Sequence, residues 1–317
     1  MASTYNLPFT ITSRMVNLVA KITEKLTLID FVERDLQLRR IQRIQTIQGS
    51  LAIEGNTLST EQITAILENK PVMGSMKEIQ EVRNAIAAYD QFEAWNPYSV
   101  NDLLKAHQIL TAGLIDECGK FRRSGVGVVS GSTVVHVAPP AERVPYLIAD
   151  LLEWLHQTEV HVLIAGAIFH YEFEYIHPFA DGNGRAGRLW QTLILSKWNT
   201  HFSHLPVENL IYQQQQEYYD AINESTKQTN CAPFVEFILD AIYNAISQVN
   251  FTQEITQEVT QEKILEAIRA NPKVTRNELA KLFNRTPDSI KYHLQKLTKA
   301  GIIKHIGATK SGEWFIL

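Results

Sequence analysis

The chain has 317 residues, 45% apolar and 20% charged, with 30 Lys or Arg against 34 Asp or Glu. That length suits two domains better than one, and the near-average composition excludes a disordered, collagen-like or disulfide-framed chain. Cys118 and Cys231 are too few for a disulfide framework and fit no zinc spacing. The opening Met1-Ala2-Ser3-Thr4-Tyr5 lacks the layout of a signal peptide. The longest apolar run, Val162 to Phe169, is far short of the roughly 20 residues that cross a bilayer. The expectation is a soluble, cytoplasmic protein without a membrane partner.

In chain order, residues 10–250 read mostly as helix. Arg39 to Leu51 sets Ile41, Ile44, Ile47 and Leu51 at spacings of three and four, an apolar face on a basic helix. Glu54-Gly55-Asn56 after it reads, taken alone, as a helix C-terminal cap with Gly55 left-handed. Ile79 to Trp95, Val100 to Leu114 and Glu142 to His156 repeat the helical period. Between them, Val126, Val128, Val129, Val134, Val135 and Val137 flank Ser130-Gly131-Ser132, a β-hairpin pattern over Gly125 to Val137. Val160 to Ile176 is apolar almost all round, which marks a buried helix. His156, His161 and His170 fit no zinc spacing and read as satisfied or surface histidines.

The next stretch is His177-Pro-Phe-Ala-Asp181-Gly-Asn183-Gly-Arg185-Ala-Gly-Arg188, ahead of an apolar helix from Leu189 to Trp198. Asp-Gly and Asn-Gly favour β-turns, but no alternating strands flank them. A calcium loop fails because Thr192 stands where its last ligand should be Glu. Gly182, Gly184 and Gly187 satisfy the dinucleotide glycine pattern without the strand that must precede it. What remains is a glycine-rich entry to a helix, whose unpaired N–H groups and dipole favour phosphate. Gly182 and Gly184 let a ligand approach, Asn183 can add a side-chain donor, and Arg185 and Arg188 share a helix face. Asp181 at that mouth would repel phosphate unless Mg²⁺ sat between them. His177 has the pKa suited to taking a proton near neutrality. Together these residues describe nucleotidyl or phosphoryl transfer to a hydroxyl.

His177 to Arg188 resembles the Fic-family signature at every defined position, and Ser50-Leu-Ala-Ile-Glu54-Gly55 resembles that family's inhibitory motif. Gly119-Lys-Phe-Arg-Arg through Pro140 resembles its flap, so the likeness covers roughly residues 40–230. It implies protein adenylylation: AMP passes from ATP to a Ser, Thr or Tyr hydroxyl of a target protein, or of the enzyme itself. It also implies roles. His177 is the general base and Asp181 holds Mg²⁺. Gly182, Asn183, Gly184 and Arg185, with Ala186 and Gly187, form the anion site. Arg188 grips the terminal phosphate, and Glu54, with Ser50 and Gly55 in its motif, pairs with Arg188 to displace that phosphate. The hairpin residues Val126, Val128, Val129, Val134 and Val135 dock the target as an added strand. Tyr218 and Tyr219 resemble the adenine-side helix. Other readings stay open: the same site removing AMP, transfer of another phosphate-containing group, or a nucleotide-sensing DNA-binding regulator.

Residues 262–317 hold 11 Lys or Arg against 5 Asp or Glu, a net of +6, while the rest of the chain nets −10. Glu262 to Ala270, Arg276 to Phe283 and Asp288 to Ala300 read as helices, with Thr275 and Glu278 as a capping box, Pro287 at a first helical position and Gly301 as a stop. Strands from Ile302 and to Leu317 then pair around Lys310-Ser311-Gly312. This resembles a winged helix, in which Ser289, Lys291, Tyr292, Gln295, Lys296 and Lys310 would face DNA. Winged helices also dock proteins or dimerise, so DNA, protein and a second copy of the chain stay open as partners. Asn250 to Gln261 repeats an apolar-Thr-Gln-Glu unit and reads as linker or helix. The expected plan is mainly α: a helical region 1–70 with the inhibitory motif, a Fic core 71–250 with its hairpin, a linker 251–261 and an α+β winged helix 262–317.

Overall fold

The computed structural model describes residues 7–27, 36–130, 133–283, 285–307 and 312–317. Its helices are α1 (Ser13–Leu26), α2 (Leu36–Ile53), α3 (Thr60–Leu67), α4 (Met76–Gln91), α5 (Val100–Thr111), α6 (Val144–Gln157), α7 (Val162–Ile176), α8 (Asn183–Trp198), α9 (Val207–Gln213), α10 (Gln215–Gln228), α11 (Ala232–Ala270), α12 (Arg276–Leu282) and α13 (Pro287–Lys299). Strands β1 (Gly127–Ser130) and β2 (Thr133–Val137) lie between α5 and α6, and β3 (Ile303–Ile306) and β4 (Glu313–Ile316) follow α13. The described residues pack as two units, those within 1–26 and 41–246, and those within 27–40 and 247–317.

In the first unit α7 is buried on nearly all sides, as its apolar sequence dictates, and packs along α8. Ile44, Ile47 and Leu51 of α2 face inward, whereas Ile41, the first residue of that stripe, is exposed. Gly49 lets α2 cross close to α9: a Cβ there would meet the Asn209 backbone at 2.5 Å. Ser59, Ser75 and Ser99 cap α3, α4 and α5 with side-chain oxygens. Helix α8 differs. Its N-cap is Gly182, left-handed at φ +81°, with no side-chain cap, so its first N–H groups are satisfied by no capping oxygen.

The expected hairpin is present. Gly127 pairs with Val137, Val128 with His136, Val129 with Val134 and Ser130 with Thr133, with a register shift between Val128 and Val129. Gly131 and Ser132 of its turn lie outside the described residues.

In the second unit Ile264, Ile268, Leu279, Ile290, Leu294, Leu297 and Ile303 form one core. Thr275 and Glu278 make the expected capping box, Pro287 opens α13 and Gly301 is left-handed at φ +71°. Helices α12 and α13 followed by the antiparallel β3–β4 pair make a winged helix. One open reading resolves here and one expectation changes. Residues 251–261, read as a linker or a helix, are helical within α11, since no Gly or Pro interrupts them. Ser289 is buried at 2% exposure against the unit's core, not turned outward, because it falls on the apolar side of α13 beside Ile290. Lys291, Gln295 and Lys296 are exposed and Tyr292 half-buried. Asn284, Lys310 and Ser311 lie outside the described residues. Among the described residues no helix is long and apolar enough to cross a membrane.

Candidate active site

The loop joining α7 to α8 is built from backbone conformations that need outside support. His177 ends α7 in the left-handed region, φ 49° and ψ 64°, where a side chain costs about 1–2 kcal/mol. Arg122 Nε donates to the His177 carbonyl at 2.7 Å. Four residues on, His107 holds the Asp181 carbonyl at 2.9 Å through Nε2. The Gly119 N–H donates to His107 Nδ1 at 3.0 Å, so the neutral ring carries its proton on Nε2. Burial, chiefly, pushes that imidazole down to about 4, which keeps it neutral. The ring stacks on Phe179 at 3.6 Å, parallel within 3°. Gly182 is required twice, by its φ and because a Cβ would meet Thr111 Cγ2 at 2.9 Å.

Against this loop opens a cavity of about 450 Å³. His177, Asp181 and the α8 start Gly182-Asn183-Gly184 form one side; Glu54, Glu174 and Arg188 another; Tyr175, Tyr219, Ile222, Asn223 and Thr226 the mouth. Arg188 is buried and donates through Nη2 to Glu54 Oε1 at 2.6 Å and to the Ser50 carbonyl at 2.9 Å, and through Nε to Ser50 Oγ at 3.2 Å. Glu54 lies directly over the α8 start: a Cβ on Gly184 would sit 2.3 Å from its Oε1. Burial works to lower the Arg188 pKa, but Glu54, together with Tyr218 and Glu174, more than offsets it, and the guanidinium stays charged.

Two further carboxyls flank Arg188. Burial raises Glu174 to about 7, with Arg188 pulling it down and Glu54 pushing it up. Its Oε1 has no hydrogen-bond partner. Burial also raises Glu208, which accepts from Thr192 Oγ1 at 2.7 Å and Tyr89 Oη at 3.2 Å.

The expected residues divide. His177, Asp181, Gly182, Asn183, Gly184, Arg188, Glu54, Tyr218 and Tyr219 all line the cavity. Ser50 reaches it through Arg188, and Gly55 is left-handed at φ +89°, the cap its sequence suggested. The Asn183 side chain is tied to the loop: Phe179 N–H donates to its Oδ1 at 2.8 Å and one of the two Nδ2 hydrogens goes to the Phe179 carbonyl at 2.9 Å. It pins the loop, and its backbone N–H is one of the helix-start donors without a side-chain cap. Arg185 does not line the cavity beside Arg188. It lies near Glu81 at 3.8 Å and Asp181 at 3.4 Å, with Nε and Nη1 lacking hydrogen bonds. Ala186 is core, and Gly187 permits the close α7–α8 approach, since a Cβ would meet Glu174 Oε1 at 2.9 Å. Tyr218 is buried with its hydroxyl 3.2 Å from His170 Nε2, whereas Tyr219 is exposed at the mouth. Val126 accepts Ala138 N–H through its carbonyl at the hairpin base. Val128, Val129, Val134 and Val135 are placed by backbone pairing alone.

Sequence reasoning missed Glu174 and His107, and it named Arg122 only within the flap-like stretch, with no role of its own. Carboxylates on a largely apolar buried helix, Glu172 and Glu174, were the available signal for Glu174; nothing in the sequence set His107 apart.

An uncapped helix start, a buried arginine and a histidine line one cavity, the kinds of group that bind an anion and take up a proton. Residues 97–195 match the Fic/DOC family, and residues 258–304 match the winged helix-turn-helix DNA-binding family. The solved structure of a Fic family protein from Desulfovibrio desulfuricans G20 is 42% identical, with a TM-score of 0.76 over 99% of this chain and 98% of that one. Fic-1 from C. elegans shares the fold at 23% identity and a TM-score of 0.60, over 77% of this chain and 72% of that one. Two proteins named protein adenylyltransferase Fic are similar. That of Culex quinquefasciatus is 32% identical over 221 residues, 65% of this chain and 42% of its own length, and that of Aedes aegypti 31% over 223 residues, 66% and 42%. The chain thus spans less than half the length of these relatives. It belongs to the Fic family.

Proposed function

We propose that the chain is a protein adenylyltransferase held inactive by its own α2. One observation carries the reading: His177, the uncapped start of α8 and Arg188 line a single cavity. The names of the similar insect proteins support it. In this reading a target Ser, Thr or Tyr hydroxyl attacks the α-phosphorus of ATP, its proton passes to His177, and pyrophosphate leaves. The N–H groups of Gly182, Asn183 and Gly184 hold phosphate oxygens, and Arg188 takes the terminal phosphate. Arg185, with two buried nitrogens lacking hydrogen bonds, has donors to give once Asp181 turns from it. Tyr219, with Ile222 and Asn223, bounds the adenine end.

No cluster of three or more His, Cys, Asp or Glu among the described residues is disposed to hold a metal unaided. Asp181, a half-exposed carboxylate beside the anion site, suits Mg²⁺, which keeps its waters and takes one carboxylate with substrate phosphates. Bound there, Mg²⁺ would neutralise phosphate charge.

Glu54 occupies Arg188 and the space over Gly184, so it competes with the terminal phosphate and inhibits. The backbone edge of the β1–β2 hairpin takes the target as a strand. Residues 262–317 bind DNA through α13. The plan is then a Fic unit to about residue 246 and a winged helix after it.

The test uses the Glu54→Gly protein with Mg²⁺ and ATP labelled at the α- or the γ-phosphate. Label from the α position alone on protein supports adenylyl transfer; label from the γ position indicates a kinase. Loss of label from a pre-labelled target instead favours removal of AMP.

A further inference from the structure

Arg122 lies outside the His177–Arg188 and Ser50–Gly55 motifs, in the flap-like stretch that begins at Gly119. It is buried at 2% exposure, and among the described residues no ion pair joins it to a carboxylate. Its guanidinium donates to backbone carbonyls instead: Nε to His177 at 2.7 Å, Nη1 to Ser124 at 2.9 Å, and Nη2 to Pro139 at 2.6 Å and Ile176 at 3.2 Å. Its own N–H donates to the Pro178 carbonyl at 3.0 Å. Ser124 and Pro139 flank the two ends of the hairpin, which the Ala138 N–H to Val126 carbonyl bond closes at 3.2 Å.

A buried cation needs compensation. Here the last carbonyls of α7, the negative end of that helix, supply part of it. The planar fork of an arginine fixes the directions of its donors, so it holds both ends of the hairpin and the His177 carbonyl at set spacings. Neither a lysine nor a neutral amide can span all four acceptors. The strained, left-handed His177 is therefore held by the same group that holds the hairpin base.

We infer that Arg122 is a positioning residue that couples the β1–β2 hairpin to His177, keeping the docking edge for a polypeptide and the base in one frame. The inference rests on the adenylyltransferase reading above for what the frame is used for. The hydrogen bonds at Arg122 include none to Arg188, Glu54 or the α8 start, so its loss should spare nucleotide binding while it misaligns hydroxyl and base.

The experiment places Arg122→Gln and Arg122→Lys in the Glu54→Gly protein, with Arg123→Gln, an exposed neighbour, as control. ATP affinity, label transfer at saturating ATP, and amide exchange over residues 125–138 and 176–179 are measured. We expect ATP affinity within about twofold and transfer slowed about 10- to 100-fold in both Arg122 variants. Exchange should rise in both segments together, and the control should change neither. Transfer within about threefold of the parent, or an equal loss of ATP affinity, overturns the inference. Failure of both Arg122 variants to fold while Arg123→Gln folds also overturns it, because the role is then in the core. If the Glu54→Gly parent transfers no label, the adenylyltransferase reading fails, and exchange alone decides the coupling. A joint rise supports it; a rise in one segment or neither overturns it.

Discussion

Glu54 accepts a hydrogen bond from Arg188 at 2.6 Å across 134 positions of chain, and the arginine is 1% exposed while the carboxylate is 33% exposed. The charge therefore sits inside the protein and its partner sits at the cavity. Removing the partner leaves a buried cation that a polyphosphate can satisfy. Glu54→Gln is expected to lower stability by about 1–2 kcal/mol, less than for a fully buried pair because Glu54 is partly solvated. Saturating ATP should then raise the melting temperature of Glu54→Gln more than that of wild type. Thermal unfolding with and without ATP checks this, and equal shifts in the two proteins would count against competition at Arg188.

Glu174 ionises in the fold near 7 against an ordinary value of 4.5, chiefly from burial, with Arg188 opposing and Glu54 adding. His170 Nε2 lies 3.8 Å from it, and burial holds that ring neutral. Between the two carboxyl values the native state binds the extra proton, so stability falls as pH rises from 4.5 to about 7 and then levels. Glu174→Gln should remove this slope, gaining roughly 2–3 kcal/mol on wild type at neutral pH relative to acid. Denaturant unfolding at a series of pH values checks it.

Gly49 carries no Cβ where α2 meets the backbone of Asn209, 2.5 Å from where that atom would lie. Backbone cannot step aside as a side-chain tip can. Gly49→Ala is expected to destabilise the protein by about 1–3 kcal/mol despite the better helix propensity of alanine. Chemical denaturation measures it; a neutral or stabilising result would mean that α2 does not pack as described.

On α13, Lys291 and Lys296 are exposed and Ser289 is not. If α13 enters a DNA groove, Lys291→Ala with Lys296→Ala should lower the slope of log affinity against log salt by about 2, while Ser289→Ala leaves that slope alone. Titration of duplex DNA at several salt concentrations distinguishes these outcomes, and affinity that ignores salt would argue for a protein partner.

Much of this was legible in the sequence because the signals were local. Apolar pattern placed α7 and the Leu189–Trp198 part of α8, pattern with caps placed α12 and α13, and the His177–Arg188 spacing singled out residues that line the cavity. What could not be read was where a side chain spends its hydrogen bonds. Asn183 turns to Phe179, four residues back, and Arg185 turns toward Glu81, which is more than 100 positions away. Arg122 and His107 act on carbonyls, and a carbonyl leaves no mark in a residue pattern. Ser289 fell on the wrong side of α13 because a recognition-helix pattern says nothing of which serine packs inward.

The most direct measurement incubates wild type, Glu54→Gly and His177→Ala/Glu54→Gly with Mg²⁺ and α-labelled ATP and follows label on protein. Glu54→Gly should label at least about tenfold faster than wild type, and the double variant should label at least about a hundredfold slower than Glu54→Gly. Equal labelling of all three would contradict both the base at His177 and the block by Glu54.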